Sequence, residues 1–224
     1  MKSKESKTLL VGLMLVAAFV IWTMMIQVVD VKSVGQNGTD VGFATFNMWF
    51  HNITGVHMWI YVVTDWLGLV PIFVCMVFAG LGLVQLVKRR SLIKVDCDII
   101  FLGIYYIVVI FNYLIFEMIP INYRPILIEG IMEASYPSST TLLVLSVMPT
   151  LIFQGNRRIK NETIKKIICI MTYVFSIFMV VGRLVAGVHW FTDIVGSVMI
   201  SVGAFYIYKA TVLYMDKNKN SREI

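Results

Sequence analysis

Six runs of nearly uncharged, apolar residues divide this chain, and each is close to the length an α-helix needs to cross a bilayer. A hydrocarbon core roughly 30 Å thick takes about 20 helical residues, and backbone groups in lipid must bond within their own segment, which selects helices. The runs extend from about Leu9 to Val29, Val63 to Val87, Cys97 to Met118, Ser138 to Phe153, Ile167 to Val185 and Ile194 to Tyr214, the fourth being the shortest. With 58% apolar and only 14% charged residues, a chain of 224 residues has too little polar surface to cover a water-soluble domain. The expected fold is therefore an all-α integral membrane protein of six transmembrane helices. It forms one domain over residues 1–224, with short tails at about 1–7 and 215–224.

The first run follows Lys2, Lys4 and Lys7 as a secretory leader would, but it is longer than a leader core and lacks a small-residue cleavage site, so it reads as an uncleaved span. Cys75, Cys97 and Cys169 fall in or beside apolar runs without metal-ligand spacing, which argues against a zinc site or a disulfide framework. A net charge of +6 could suggest nucleic acid, yet the basic residues sit in short clusters between apolar runs, as in the inner loops of a membrane protein. Placing both termini in the cytoplasm puts all of the 19 basic residues inside except Lys32, Arg124 and Arg183. A bias of that size sets the orientation, and a plasma-membrane protein with three outer segments is expected. The first outer segment, about Asp30 to Val62, carries Phe43, Phe46, Trp49, Phe50, His51, Trp59 and Tyr61, which suit the headgroup layer and a short interfacial helix.

Arg124 and Arg183 are the informative outer charges. A guanidinium at a membrane edge is expensive unless an anion meets it, and two of them from separate loops point to an oxyanion held in bidentate fashion. Structural pairing with Glu117, Glu129, Glu133 or Asp193 is the alternative. Between the arginines lies Tyr136-Pro137-Ser138-Ser139-Thr140-Thr141, just before the fourth run. Proline suits a first helical turn and Ser or Thr its cap, so free amides and the helix dipole make this a helix start able to hold phosphate. After Arg183 come His189 and Asp193, four residues apart. On one helical face, Asp193 would fix the tautomer of His189 and leave its other nitrogen free to attack.

These residues resemble the three motifs of the type 2 phosphatidic acid phosphatases, the PAP2 lipid phosphatase superfamily: K-x6-R-P, P-S-G-H and S-R-x5-H-x3-D. The third is matched by Arg183, His189 and Asp193, with Gly182 in place of the initial Ser. The first keeps Arg124-Pro125 but has Glu117 where its Lys would stand. The second keeps Pro137-Ser138 and then departs to Ser139 and Thr140, where Gly and His are expected.

The resemblance implies a bundle of six spans and a metal-independent enzyme without cofactor, acting on a lipid phosphate at the extracytoplasmic face. His189 would form a phosphohistidine, Asp193 would orient it, and Arg124, Arg183, Ser138, Ser139 and Thr140 would cradle the phosphoryl oxygens. A threonine cannot serve as the acid that the family's second-motif His provides, and losing a general acid costs about 10²- to 10⁴-fold. A diphosphate, whose leaving group needs no proton, suffers least, which favours a polyprenyl diphosphate substrate. Glu117, His51 and His57 are candidate substitute acids, Glu117 foremost, and Glu117 is also a candidate headgroup contact. Alternatives are a lipid phosphotransferase of the same family and a non-catalytic relative that binds or moves phospholipids.

Overall fold

The computed structural model describes residues 4–220; Lys2 and Arg222, counted above among the inner charges, lie outside the described residues. Eight helices follow one another: α1 (Lys4–Val28), α2 (Ala44–Thr54), α3 (Met58–Leu67), α4 (Leu69–Arg89), α5 (Cys97–Met118), α6 (Ser139–Arg158), α7 (Glu162–Val185) and α8 (Phe191–Asn220). Among the described residues β pairing is confined to isolated bridges.

Among the described residues five segments are long and apolar enough to cross a membrane: α1, α3 with α4, α5, α7 and α8. The α3–α4 segment is interrupted at Gly68. Pro71 explains the break, because its ring clashes with the carbonyl four residues earlier, that of Leu67, and it has no N–H to offer that carbonyl. The short α2 falls in the segment expected to lie at the interface, with Phe46, Trp49 and Ile53 on its exposed side.

The remaining long helix, α6, has the length to span but is less apolar. It packs against α4, α5, α7 and α8, with Thr141, Ser146, Thr150 and Gln154 buried. Its polar groups are satisfied by neighbours: the Tyr106 hydroxyl and Thr150 Oγ1 lie 2.7 Å apart, the Tyr105 hydroxyl donates to the Ser146 carbonyl at 2.9 Å, and Gln154 bonds Tyr208. Being wrapped by other helices, α6 needs no lipid-facing apolar coat.

The long helices alternate in direction. At one end, the Asp98 carboxylate receives Arg157 at 3.0 Å and Arg158 at 2.8 Å, and Arg157 reaches Asp216 at 2.6 Å, tying α5, α6 and α8 together. Helix α1 lies along α8 at close range. A Cβ on Gly12 would come within 2.9 Å of the Gly203 carbonyl, and one on Gly203 within 3.1 Å of the Gly12 carbonyl, the small-residue contact that lets membrane helices approach. At the opposite end from the Asp98 cluster, Trp22 donates to the Thr192 carbonyl at 3.1 Å and Thr23 Oγ1 lies 2.7 Å from the Tyr136 hydroxyl.

Candidate active site

At this second end the α5–α6 connection folds back on itself. Ile128 and Ile131 exchange backbone bonds of 3.1 and 2.8 Å across Glu129 and Gly130, both at positive φ, the conformation of a tight hairpin turn. Its two arms run side by side, with Arg124 N–H donating to the Glu133 carbonyl at 3.1 Å and Ser135 N–H to the Asn122 carbonyl at 2.9 Å. The fold thereby sets Arg124, Asn122 and Ser135 next to the α7–α8 turn.

That turn is shaped by Gly187, whose φ of +71° is open to glycine without penalty. A Cβ there would sit 2.0 Å from the Gly55 carbonyl, so the α2–α3 link and the α7–α8 turn are in direct backbone contact. His189 follows, 4% exposed. Its Nε2 lies 3.2 Å from Arg183 NH2, and its Nδ1 lies 3.1 Å from both the carbonyl and the hydroxyl of Ser135. A guanidinium only donates, so Nε2 carries the lone pair. The Ser135 hydroxyl gives its proton to Asp193 Oδ2, so Nδ1 carries the hydrogen. Burial, reinforced by Arg183 and Arg124, holds the imidazole pKa well below its usual 6.5.

Asp193 is placed differently from the sequence expectation. Helix α8 begins only at Phe191, so His189 and Asp193 do not share a helical face. Asp193 Oδ2 caps the turn by accepting the Trp190 N–H at 2.9 Å, Oδ1 accepts from Asn122 at 3.3 Å, and His189 Nδ1 is 3.9 Å away. The carboxylate acts on the imidazole through space and by way of Ser135.

Arg183, in the last turn of α7, is fully buried, and Arg124 is 8% exposed. Both guanidinium groups lie against the ring of Tyr61, at 4.9 and 5.7 Å from its centroid, which brings the two cations to one aromatic side chain. Each has a carboxylate beside it: Glu133 3.0 Å from Arg124, and the 59%-exposed side chain of Asp65 3.7 Å from Arg183 NH1. Even so, Arg124 Nε and NH1 and Arg183 Nε have no hydrogen-bond partner. The alternatives left open by the sequence are thus both present: each arginine has a structural partner and keeps unspent donors.

The start of α6 faces the same place. Ser138 is buried, its hydroxyl donating to Thr141 at 3.1 Å and its carbonyl accepting from Ser197 at 3.1 Å. No side chain caps this end, and the first helical bond is Leu142 N–H to the Ser138 carbonyl at 2.8 Å, so the amides of the first turn stay available to an anion. Ser139 lines a cavity of about 220 Å³ with Arg124, Glu117, Glu133, Tyr113 and Pro137. Ser139 and Thr140 also border an apolar groove of about 490 Å³ between α4, α5 and α6 that begins at Asp65 and continues past Ile72, Val109 and Val147.

Of the candidate acids, Glu117 is in the cavity wall, whereas the His57 ring nitrogen lies 2.9 Å from the Thr54 carbonyl and His51 packs on Trp190 at 5.7 Å. Sequence reasoning missed Ser135, Asn122 and Asp65 and took Tyr61 for an interfacial aromatic. No group of three or more His, Cys, Asp or Glu among the described residues is arranged to hold a metal ion.

A family model of the PAP2 superfamily matches residues 99–217, more than half of the chain. This chain belongs to the PAP2 superfamily. The matched stretch includes Arg124, the α6 start, Arg183, His189 and Asp193, and leaves Tyr61 and Asp65 outside it. The fold agrees. A transmembrane PAP2-type phosphatidylglycerolphosphate phosphatase from Bacillus subtilis, known from its crystal structure, superposes with a TM-score of 0.63 at 16% identity, covering 91% of this chain and 96% of that one. No curated protein sequence matches the chain significantly. With its apolar helices and this relative, the PAP2 chain is an all-α integral membrane protein.

Proposed function

We propose that the protein is a membrane lipid phosphatase in which His189 attacks phosphorus and a lipid diphosphate, of the polyprenyl class, is the favoured substrate. The observation that carries this reading is the meeting of Arg183 with the lone pair of His189 beside Arg124 and its unpaired donors. Two guanidinium groups over one ring, at a helix tip with open amides, are a strong anion trap.

The chemistry follows from the hydrogen positions. The Nε2 lone pair forms a bond to phosphorus as the bond to the leaving oxygen breaks, and that oxygen departs with the electron pair. Arg124, Arg183 and the α6 amides offset the charge that grows on the phosphoryl oxygens. Water then attacks phosphorus, the N–P electrons return to Nε2, and inorganic phosphate is released. Throughout, Nδ1–H stays on the Ser135 carbonyl. None of these steps calls for a metal ion.

Substrate preference rests on Thr140. It borders the groove beside the helix tip and offers no acid of useful pKa, so a leaving group that departs without a proton has the advantage. The apolar groove between α4, α5 and α6 suits the lipid chain, entering sideways from the bilayer. Six spans are read by counting α6, and the clustering of Arg89, Lys94, Arg157 and Arg158 around the far end favours a cytoplasmic placement there, with the site and its phosphate outside. The test is phosphate release by detergent-purified protein from a panel of lipid mono- and diphosphates, with His189→Ala as control. Faster cleavage of monoesters than of diphosphates would refute the preference, and release that survives His189→Ala would refute the mechanism.

A further inference from the structure

Asp65 is the one carboxylate among the described residues that line the apolar groove between α4, α5 and α6, and it stands at the groove's polar end with Thr140. The break between α3 and α4 puts it there. Its carbonyl accepts the Gly68 N–H at 3.0 Å, and a Cβ on Gly68 would come within 3.6 Å of Thr140 Cγ2, so this turn rests against the tip of α6. The fork of Arg183 links Asp65 to the imidazole, NH2 lying 3.2 Å from His189 Nε2 and NH1 3.7 Å from Asp65 Oδ1. At that distance the pair is ionic without a hydrogen bond. With its side chain 59% exposed, Asp65 keeps its oxygens free to accept a proton. The other acidic groups near the helix tip are engaged elsewhere: Glu133 is 3.0 Å from Arg124, and Glu117 lines the neighbouring cavity with it.

We propose that Asp65 is the general base of the second half-reaction, taking a proton from the water that releases phosphate from His189. This rests on His189 being the nucleophile. Displacement at phosphorus runs in line, so the water enters from the side that the leaving oxygen has vacated. With the lipid chain in the groove, that side is the groove's polar end, where Asp65 stands. As the water oxygen bonds to phosphorus, one of its protons passes to the Asp65 carboxylate and the N–P electrons return to Nε2; the carboxyl group then gives the proton to solvent. An exposed carboxylate is anionic at neutral pH and can act as a base, which the hydroxyl of Thr140 cannot. The first half-reaction makes no such demand, because a lipid monophosphate leaves a diphosphate without a proton. The two halves therefore draw on different groups, and only the second needs Asp65.

A polyprenyl diphosphate radiolabelled in its terminal phosphate, mixed with detergent-purified protein and quenched in alkali, reads the two steps apart. In Asp65→Asn the burst of lipid monophosphate should remain, while the labelled protein should lose its phosphate about 10²-fold or more slowly, the scale of a lost general base. Asp65→Glu should recover part of that rate, and added formate should restore it to Asp65→Ala, neither of which a merely structural carboxylate would do. If the asparagine variant does not fold, the alanine variant with and without formate reads the same step. Label that decays at the native rate, or that never builds up while both steps slow alike, would overturn the proposal and leave His189 in its role. Phosphate release that survives His189→Ala, or that the native protein does not show with any lipid of the panel, brings down the nucleophile and Asp65 with it.

Discussion

Arg183 NH2 points at Nε2 of His189 across 3.2 Å, so the lone pair of the imidazole and the cation that would receive a phosphoryl oxygen face each other. The contact sets a direction of approach. A phosphoryl group that displaces this bond finds nitrogen on one side and guanidinium on the other, with Arg124 beside Tyr61 to close the ring of charge.

Arg183→Lys keeps the charge but loses the planar fork, which has to serve His189 and Thr64 as well as an oxyanion. Its kcat for lipid phosphate release should fall by about 10²- to 10³-fold, the loss typical of a donor aimed at transition-state charge. Steady-state phosphate release checks this, alongside a thermal melt to show that the buried site has survived.

Glu133→Gln should have the opposite sign. With its ion-pair partner neutralised, Arg124 has more of its charge to offer the ligand, and KM, or the inhibition constant of inorganic phosphate, should drop by about two- to fivefold. Titrating inhibition by inorganic phosphate is the direct measurement.

Thr140→His places an imidazole beside the helix tip, where Thr140 borders the groove. A general acid there assists monoesters far more than diphosphates, so the ratio of monoester to diphosphate turnover should rise by about tenfold or more. Parallel assays on one lipid chain length test it.

Stability should carry the mark of the buried imidazole. The folded pKa of His189 is depressed, so just below 6.5 the unfolded chain binds a proton that the folded chain does not. Its contribution is complete above about 6.5 and is lost as pH falls toward the folded value. Half-buried His51, shifted down by desolvation, acts in the same direction. Referenced to His189→Gln, which removes the His189 contribution and leaves the other titrating groups in place, the native Tm in detergent should fall as pH drops from about 7 to about 5.

Much of the pocket was legible in advance because its residues cluster in a few short stretches. Arg183, His189 and Asp193 stand within 11 residues, and Tyr136 to Thr141 form one helix start. The partners that complete it are harder to see. Tyr61 and Asp65 lie on α3, more than a hundred residues before Arg183, and only packing of α3 on α7 brings them there. Ser135 acts through its carbonyl as much as its hydroxyl, and a main-chain acceptor leaves no trace in residue type. The apolar runs located the long helices, though α1 and α7 begin five residues earlier and α8 ends six residues later, in polar sequence; two further differences have local causes. Pro71 divides the second run, and the fourth runs past Phe153 to Arg158 because Gln154, Arg157 and Arg158 are held by Tyr208, Asp216 and Asp98.

The glycine contact between α1 and α8 has a bearing on how the molecule is made. Helix α1 has as its main partner α8, which is translated after α2 to α7, so its Gly12 face finds its match only once α8 has been made. Thr192 takes its α1 contact with Trp22 only then, and Asp193 arrives on the same helix, so the candidate site is completed by α8 and a chain cut before it lacks both.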